Sequence, residues 1–269
     1  AVVDAAYALV QTVPDLEAWI ARATAQGYVA VDTETTSLDA QQAELVGVSL
    51  ALAPGDACYI PLGHRTPGPV GELDFGGGAS AAPLKQIDLA DALARLKPLF
   101  ADPAVLKIGQ NLKYDMAVLA RHGVTLTPFD DVMLLSFVLD AGLHGHGMDE
   151  LARLHLDYET IKFADVAGKG KDQITFDAVP LDKALNYAAE DADITLRLYQ
   201  RLKPRLAAEA MTYVYEAIER PLAPVLTAME AEGILVDRKT LAALSQDFGA
   251  RMAVLEAEIQ SLAGREFNV

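Results

Sequence analysis

Tyr28-Val29-Ala30-Val31-Asp32-Thr33-Glu34-Thr35 is an apolar run that turns acidic without a break. The residues from Tyr28 to Val31 suit a buried strand, and that strand feeds straight into two carboxylates. Residues two apart on a strand point to one face, so Asp32 and Glu34 stand side by side. No base adjoins them in the run, and two such carboxylates repel each other unless a cation sits between them. Taken alone, an Asp-x-Glu pair also fits a solvated strand end.

Working outward, a helix precedes the strand. Pro14 and Asp15 open it, Leu16, Trp19 and Ile20 give its apolar stripe, and Gly27 closes it. Leu45–Leu52 reads as a second strand and Cys58–Ile60 as a third, joined through Ala53-Pro54-Gly55-Asp56. These short connections favour an antiparallel meander. Gly63–Pro83 is rich in Gly, Pro and Ala and reads as a long surface loop. A helix over Asp88–Phe100, a strand over Val105–Ile108 and a helix over Leu112–His122 follow. Further helices are expected over Asp131–Leu139, Met148–His155 and Asp182–Leu202. Composition shifts near Lys203-Pro204. Beyond it, helical spacing predicts one helix over Glu209–Glu232, bent by Pro221 and Pro224, and another over Lys239–Ala263. The pattern is that of an α/β domain followed by an incomplete helical segment.

The chain has 269 residues, 52% of them hydrophobic and 22% charged, which builds a core and argues against disorder. The single cysteine, Cys58, excludes an internal disulfide framework and a thiolate-rich zinc site, and fits a reducing cytoplasm. Apolar runs are short and broken by charges, so no membrane span is expected. The first residues, Ala-Val-Val-Asp, have the look of a cut edge of something longer. Lys+Arg number 22 against 38 Asp+Glu, a net charge of −16. That balance opposes a broad basic face for nucleic acid.

Two further motifs carry acids. In Gln110-Asn111-Leu112-Lys113-Tyr114-Asp115, Asn111 is expected to cap a helix with Asp115 on the same face, although an acid there also suits the helix dipole. In Tyr187-Ala188-Ala189-Glu190-Asp191-Ala192-Asp193, Tyr187 and Asp191 are four apart, so one helix face offers a phenol and a carboxylate. Ala188, Ala189 and Ala192 leave room for a close approach. Glu190 and Asp193 are expected on the solvated side. His144-Gly145-His146 reads as a solvated loop rather than a metal site, and Gly168-Lys169-Gly170-Lys171 as a loop without the spacing of a phosphate-binding motif.

A strand ending in Asp-x-Glu, then Asn-x-x-x-Asp opening a helix, then Tyr-x-x-x-Asp late in the domain resembles a known constellation. It is that of the proofreading 3′–5′ exonucleases, in the form found in the bacterial DNA polymerase I family (family A). Val31–Asp39, Gly109–Asp115, Ala167–Lys171 and Tyr187–Thr195 carry the match. It continues through Glu219-Arg220-Pro221-Leu222 and Gly233-Ile234, which look like the start of that family's polymerase thumb.

The resemblance implies a ribonuclease H-like exonuclease fold, a mixed central sheet flanked by helices, over residues 1–207. Residues 208–269 would be truncated thumb helices, without the polymerase fingers and palm. It implies two divalent ions, Mg²⁺ or Mn²⁺ with Zn²⁺ admissible: Asp32, Glu34 and Asp191 would hold one, and Asp32 and Asp115 the other. Tyr187, with Glu34, would orient the attacking water. Leu38 and Phe163 would wedge and stack on terminal bases; Gln110, Asn111 and Tyr114 would line the strand path; Thr35 would meet the terminal 3′-OH. Many relatives carry Arg just before the residue matched to His146, where this chain has Gly145. The implied partners are a single-stranded or frayed DNA 3′ end and the polymerase domain of the same full-length chain, in a monomeric cytoplasmic enzyme. A site that grips only a few nucleotides can rely on ions and stacking, so the −16 then predicts weak, salt-sensitive binding. Two other readings are a catalytically silent DNA-binding module and a ribonuclease D-like RNA-trimming enzyme.

Overall fold

The strand that opens the sequence reading, Tyr28–Thr35 (β2), is the hub of a six-stranded mixed sheet in a computed structural model that describes residues 5, 7–65 and 84–268. Its neighbours are Leu45–Ala53 (β3), antiparallel, and Leu106–Gly109 (β5), parallel. Asp56–Pro61 (β4) extends the sheet beyond β3, completing the expected meander. With Ala8–Leu9 as β1 and Phe129–Asp131 as β6, the sheet order is β1-β4-β3-β2-β5-β6. The edge strands β1 and β6 pair in parallel and were not expected from sequence. At two and three residues they are too short to show a period.

Each sheet face carries its own core. On one lie Val13–Gln26 (α1), Leu89–Ala101 (α2) and Leu112–Arg121 (α3), with Leu16, Leu96, Phe100 and Val118 packed on Val29, Val31, Val48 and Leu50. On the other lie Val132–Asp140 (α4), Met148–Leu156 (α5) and the long helix Leu181–Ala208 (α7). There the sheet offers Ala30, Ala51 and Ala57, and α7 meets them with Ala189 and Ala192. Small residues on both sides bring the helix close to the sheet. The short helix Phe163–Ala167 (α6) lies between α5 and α7.

Three expectations need correction. Helix α7 does not stop at Leu202 but runs through Pro204 to Ala208. Leu202 and Leu206 are both buried in one cluster, and that packing outweighs the hydrogen bond that Pro204 cannot give. Asn111 makes no side-chain cap to α3 and adopts a left-handed conformation, φ 57°. The cap comes instead from Asp131, whose carboxylate accepts from the N–H groups of Asn111 (3.1 Å) and Leu112 (2.8 Å). Glu190 and Asp193 are buried rather than solvated. Glu190 accepts from the Tyr158 hydroxyl (2.6 Å) and the Ile161 N–H (2.7 Å), and Asp193 from Tyr7, Gly55 and Arg197.

Of the expected loop Gly63–Pro83, residues 66–83 lie outside the described residues. Beyond α7 the chain continues through Thr212–Val214 (α8), a π-helical turn over Tyr215–Glu219 and Arg220–Glu232 (α9). The wide turn ends two residues before Pro221, which has no N–H for an ordinary helical bond. By contacts the chain forms two compact units, Ala1–Ala231 and Glu232–Val269. Residues 208–231 stay with the first because Tyr215 is buried against β6, its hydroxyl donating to Asp130 (3.0 Å) and accepting from the Asp131 N–H (2.9 Å). The second unit holds Arg238–Ala263 (α10), capped by Asp237 and ended by Gly264. No helix among the described residues is long and apolar enough to cross a membrane.

Candidate active site

Asp32 and Glu34 follow Ala30 on the face of β2 turned toward α7, where Ala189 and Ala192 meet it. On the same helix, Asp191 completes a group with them: one carboxylate oxygen from each lies within 4.8 Å of the others. Asp115, in the first turns of α3, is buried beside β2. Its Oδ1 accepts from the backbone N–H of Thr33 at 3.0 Å and from the Thr33 hydroxyl at 2.5 Å. The sequence reading overlooked Thr33, whose place between two acids concealed its role.

The electrostatics of this group are unfavourable without a cation. Burial raises the pKa of Asp32, and the Asp191 charge raises it further. Burial does the same for Glu34, with added repulsion from Asp32, Asp191 and Asp115. Asp115 is raised by burial and by Asp32, against the two Thr33 hydrogen bonds. Asp191 is raised by burial and by Glu190, opposed by its hydrogen bond with Tyr187. Among the described residues none of the four forms an ion pair within 4.0 Å, and buried Glu34 Oε1 has no hydrogen-bond partner. An all-oxygen donor set of this charge, with an unused buried lone pair, fits divalent cations of the hard class.

Opposite Glu34 in the β2–β3 register is Gly47. The Tyr59 ring occupies the space a side chain at position 47 would need, and its hydroxyl pairs with His64 Nε2 at 2.8 Å. Tyr187 lies over the group; burial first, and then Asp191 and Glu34, push its phenol above the ordinary range.

A cleft of about 570 Å³ opens beside Glu34, lined by Thr35, Leu38, Tyr114, Phe163, Phe176 and Tyr187 among others. Leu38 is 98% exposed and Phe163 37%, so neither is ordinary core. Phe163 stacks on Phe176, with centroids 6.3 Å apart and planes 25° apart. The Tyr114 hydroxyl meets that of Thr35 and donates to the Ser37 carbonyl, which fixes the chain after β2. A second cleft, about 370 Å³, is lined by Leu38, Asn111, Lys113, Tyr114 and Glu230 among others. Gln110 lines neither of these clefts; its amide donates to the His146 carbonyl at 2.8 Å.

A mixed sheet of this order, with helices on both faces and a buried carboxylate group at the end of its central strand, defines a ribonuclease H-like nuclease. The family model for the 3′–5′ exonuclease matches residues 7–207, and the chain belongs to that family, the 3′–5′ exonuclease domain of DNA polymerase I. The DNA polymerase I of Rhizobium leguminosarum is 52% identical over 273 residues, covering 98% of this chain and 26% of that protein. That of Pseudomonas aeruginosa is 44% identical over 258 residues, covering 94% and 27%. The chain thus spans about a quarter of the length of these relatives. Among solved structures, the POL domain of Pol1 from M. smegmatis, in complex with DNA primer-template and dNTP, superposes with a TM-score of 0.65 at 22% identity, covering 97% of this chain and 38% of that one. Brucella melitensis NrnC with bound Mg²⁺ superposes with a TM-score of 0.54 at 21% identity, covering 79% and 90%. Both share the fold.

Proposed function

We propose that this chain removes nucleotides one at a time from DNA 3′ ends, as the proofreading part of a longer polymerase. The observation that carries the reading is the convergence of Asp32, Glu34 and Asp191, with Asp115 behind them, at the mouth of a cleft with apolar walls. Asp32, Glu34 and Asp191 would hold one divalent ion, and Asp32 and Asp115 a second, with Mg²⁺ or Mn²⁺ favoured by the donors and Zn²⁺ admissible. Bound there, such ions would supply charge neutralisation for the phosphoryl oxygens, an activated water and stabilisation of the leaving alkoxide.

The chain's own groups supply the positioning. Tyr187 stays protonated, since its pKa lies above the ordinary phenol value, and so acts as a hydrogen-bond guide rather than a base. With Glu34 it holds the attacking water in line with the scissile phosphate. Leu38, exposed at the cleft rim, wedges between the last bases, and Phe163 stacks on the terminal one, an interaction worth about 1–3 kcal/mol. Thr35 contacts the 3′-OH. Asn111 and Tyr114 line the path of the strand, and Gln110 supports it through the His146 turn.

In this reading residues 1–207 are the exonuclease domain and 208–269 the first thumb helices of a polymerase domain in the same full-length, monomeric chain. Acting on DNA in a bacterial cytoplasm, the isolated segment binds its strand weakly and in a salt-sensitive way. Incubation with a 5′-labelled single strand and Mg²⁺ or Mn²⁺ tests the activity. The expected result is a ladder of stepwise 3′ shortening that Asp191→Ala abolishes; a folded, metal-replete sample that leaves the strand intact refutes it. Slower shortening of an RNA oligonucleotide of the same sequence is expected.

A further inference from the structure

The turn after α4 gathers a second set of metal-type ligands. Asp140 closes α4, His144 follows four residues later in the turn, and His155 lies in the last turn of α5. One ligand atom from each lies within 4.8 Å of the others. His144 Nε2 is 3.7 Å from Asp140 Oδ2, and the His144 and His155 rings meet at 70° with centroids 5.9 Å apart. The pair read from sequence as a solvated His-x-His therefore divides. His144 is largely covered and joins Asp140 and His155, while His146 turns its Nδ1 to the Ser136 hydroxyl at 2.8 Å.

Three details set this group apart from solvated histidines. His144 Nδ1 lies 2.7 Å from the Gly145 carbonyl. A carbonyl can only accept, so Nδ1 is the donor there, and in a neutral ring Nε2 is then the nitrogen left to bind a metal. His155 Nε2 is buried with no hydrogen-bond partner. Asp140 is held by Arg205 through two bonds of 2.8 Å, and Arg205 is shared with Glu209 at 2.7 Å.

We propose that Asp140, His144 and His155 form a binding site for a zinc-class divalent cation, separate from the Asp32–Glu34–Asp191 group. Two imidazole nitrogens and one carboxylate oxygen suit Zn²⁺ far better than Mg²⁺, with water in the fourth place. Zn–N distances of about 2.0–2.1 Å put tetrahedral ligand atoms about 3.3 Å apart, so the group closes on an ion by side-chain adjustment. Arg205, which orients Asp140, follows Asp191 by 14 residues on α7, about 21 Å along the axis at 1.5 Å per residue. An ion here ties the Ala141–Gly147 turn to α5 and, through Asp140 and Arg205, to the C-terminal end of α7.

The test is a Zn²⁺ titration in excess Mg²⁺, followed through long-range ¹H–¹⁵N correlations of the five histidines. One equivalent of Zn²⁺ should move the Nε2 resonances of His144 and His155 and leave those of His64 and His122 in place. Zn²⁺ uptake with His144 and His155 unmoved, or with His64 and His122 moving equally, overturns the proposal. Calorimetry on His144→Gln and His155→Gln should show this Zn²⁺ binding weakened at least tenfold, with Mg²⁺-supported nuclease activity unchanged. Unaltered affinity in both variants also overturns it. The spectrum of the unsubstituted protein gives the decision even where a variant does not fold.

Discussion

Thr33 and Asp115, 82 residues apart in the chain, share one carboxylate oxygen: both the N–H and the hydroxyl of Thr33 donate to Asp115 Oδ1. This fixes the rotation of the Asp115 carboxylate. Losing the hydroxyl in Thr33→Val should leave the backbone bond and release part of that orientation. A hydrogen bond to a charged group contributes about 1.5–3 kcal/mol. Cleavage at limiting Mn²⁺ should fall about tenfold or more, and saturating Mn²⁺ should restore most of it. Rates plotted against Mn²⁺ concentration check this; a loss that persists at saturation would mean Thr33 acts on something other than ion affinity.

The carboxylate group predicts opposite effects on activity and on stability. Asp32→Ala and Asp191→Ala should each lower cleavage by at least about 10³-fold, since a lost ligand removes several kcal/mol of transition-state stabilisation. Yet in the ion-free protein burial, and then repulsion from Asp191 on Asp32 and from Glu190 on Asp191, disfavours their charged forms and raises both pKa values. Asp191→Asn should therefore raise the ion-free Tm, while the further rise that Mn²⁺ gives the parent protein should vanish. Thermal melts with and without Mn²⁺ measure both; a lower ion-free Tm would contradict the repulsion.

Tyr187 carries a phenol whose pKa lies above its ordinary value, because of burial and the adjacent Asp191 and Glu34. It cannot supply a base at neutral pH, so Tyr187→Phe removes one orienting hydrogen bond and no proton acceptor. The expected cost is about 10-fold in rate, well short of an acid-to-alanine loss. The alkaline limb of the pH–rate profile should keep its shape. A limb that disappears in the variant would show the phenolate taking part.

The sequence revealed most where residues repeat a pattern. The meander from β2 to β4 and helices α1 to α5 follow from period and turn residues, while the choice of Asp32, Glu34, Asp115 and Asp191 as one group rests on the resemblance of their motifs to a known family. What it concealed depends on tertiary partners. Asp131 caps α3 across a strand pairing that only the folded sheet creates. Glu190 and Asp193 look solvated in a helix of mixed polarity, yet Tyr158, Tyr7 and Arg197 arrive from distant segments to satisfy them. The expected helix end at Leu202 falls just before Pro204, and the burial of Leu202 and Leu206 carries α7 past it. The His144–His155 approach joins a turn to a later helix, so no local spacing discloses it.

Asp131 serves two helices with one carboxylate. It accepts from the N–H groups of Asn111 and Leu112 at the start of α3, and from Met133 (2.9 Å) and Leu134 at the start of its own helix, α4. Burial pushes its pKa up to about 6, in spite of those four donors. Between the ordinary acid value and about 6, the folded protein keeps a proton that the unfolded chain has released. Stability from this group is fully present at low pH and falls as pH rises through that window. Asparagine has no proton to lose, and all other acids cancel in a comparison with Asp131→Asn. The stability advantage of the parent over Asp131→Asn, from urea unfolding, should therefore be smaller at pH 7 than at pH 4.5, by about 2 kcal/mol. At pH 7 the ionised carboxylate still satisfies donors at two helix starts, so Asp131→Ala should destabilise by about 2–4 kcal/mol. An advantage that grows with pH would mean the four N–H donors outweigh burial, and that Asp131 titrates below the ordinary acid range.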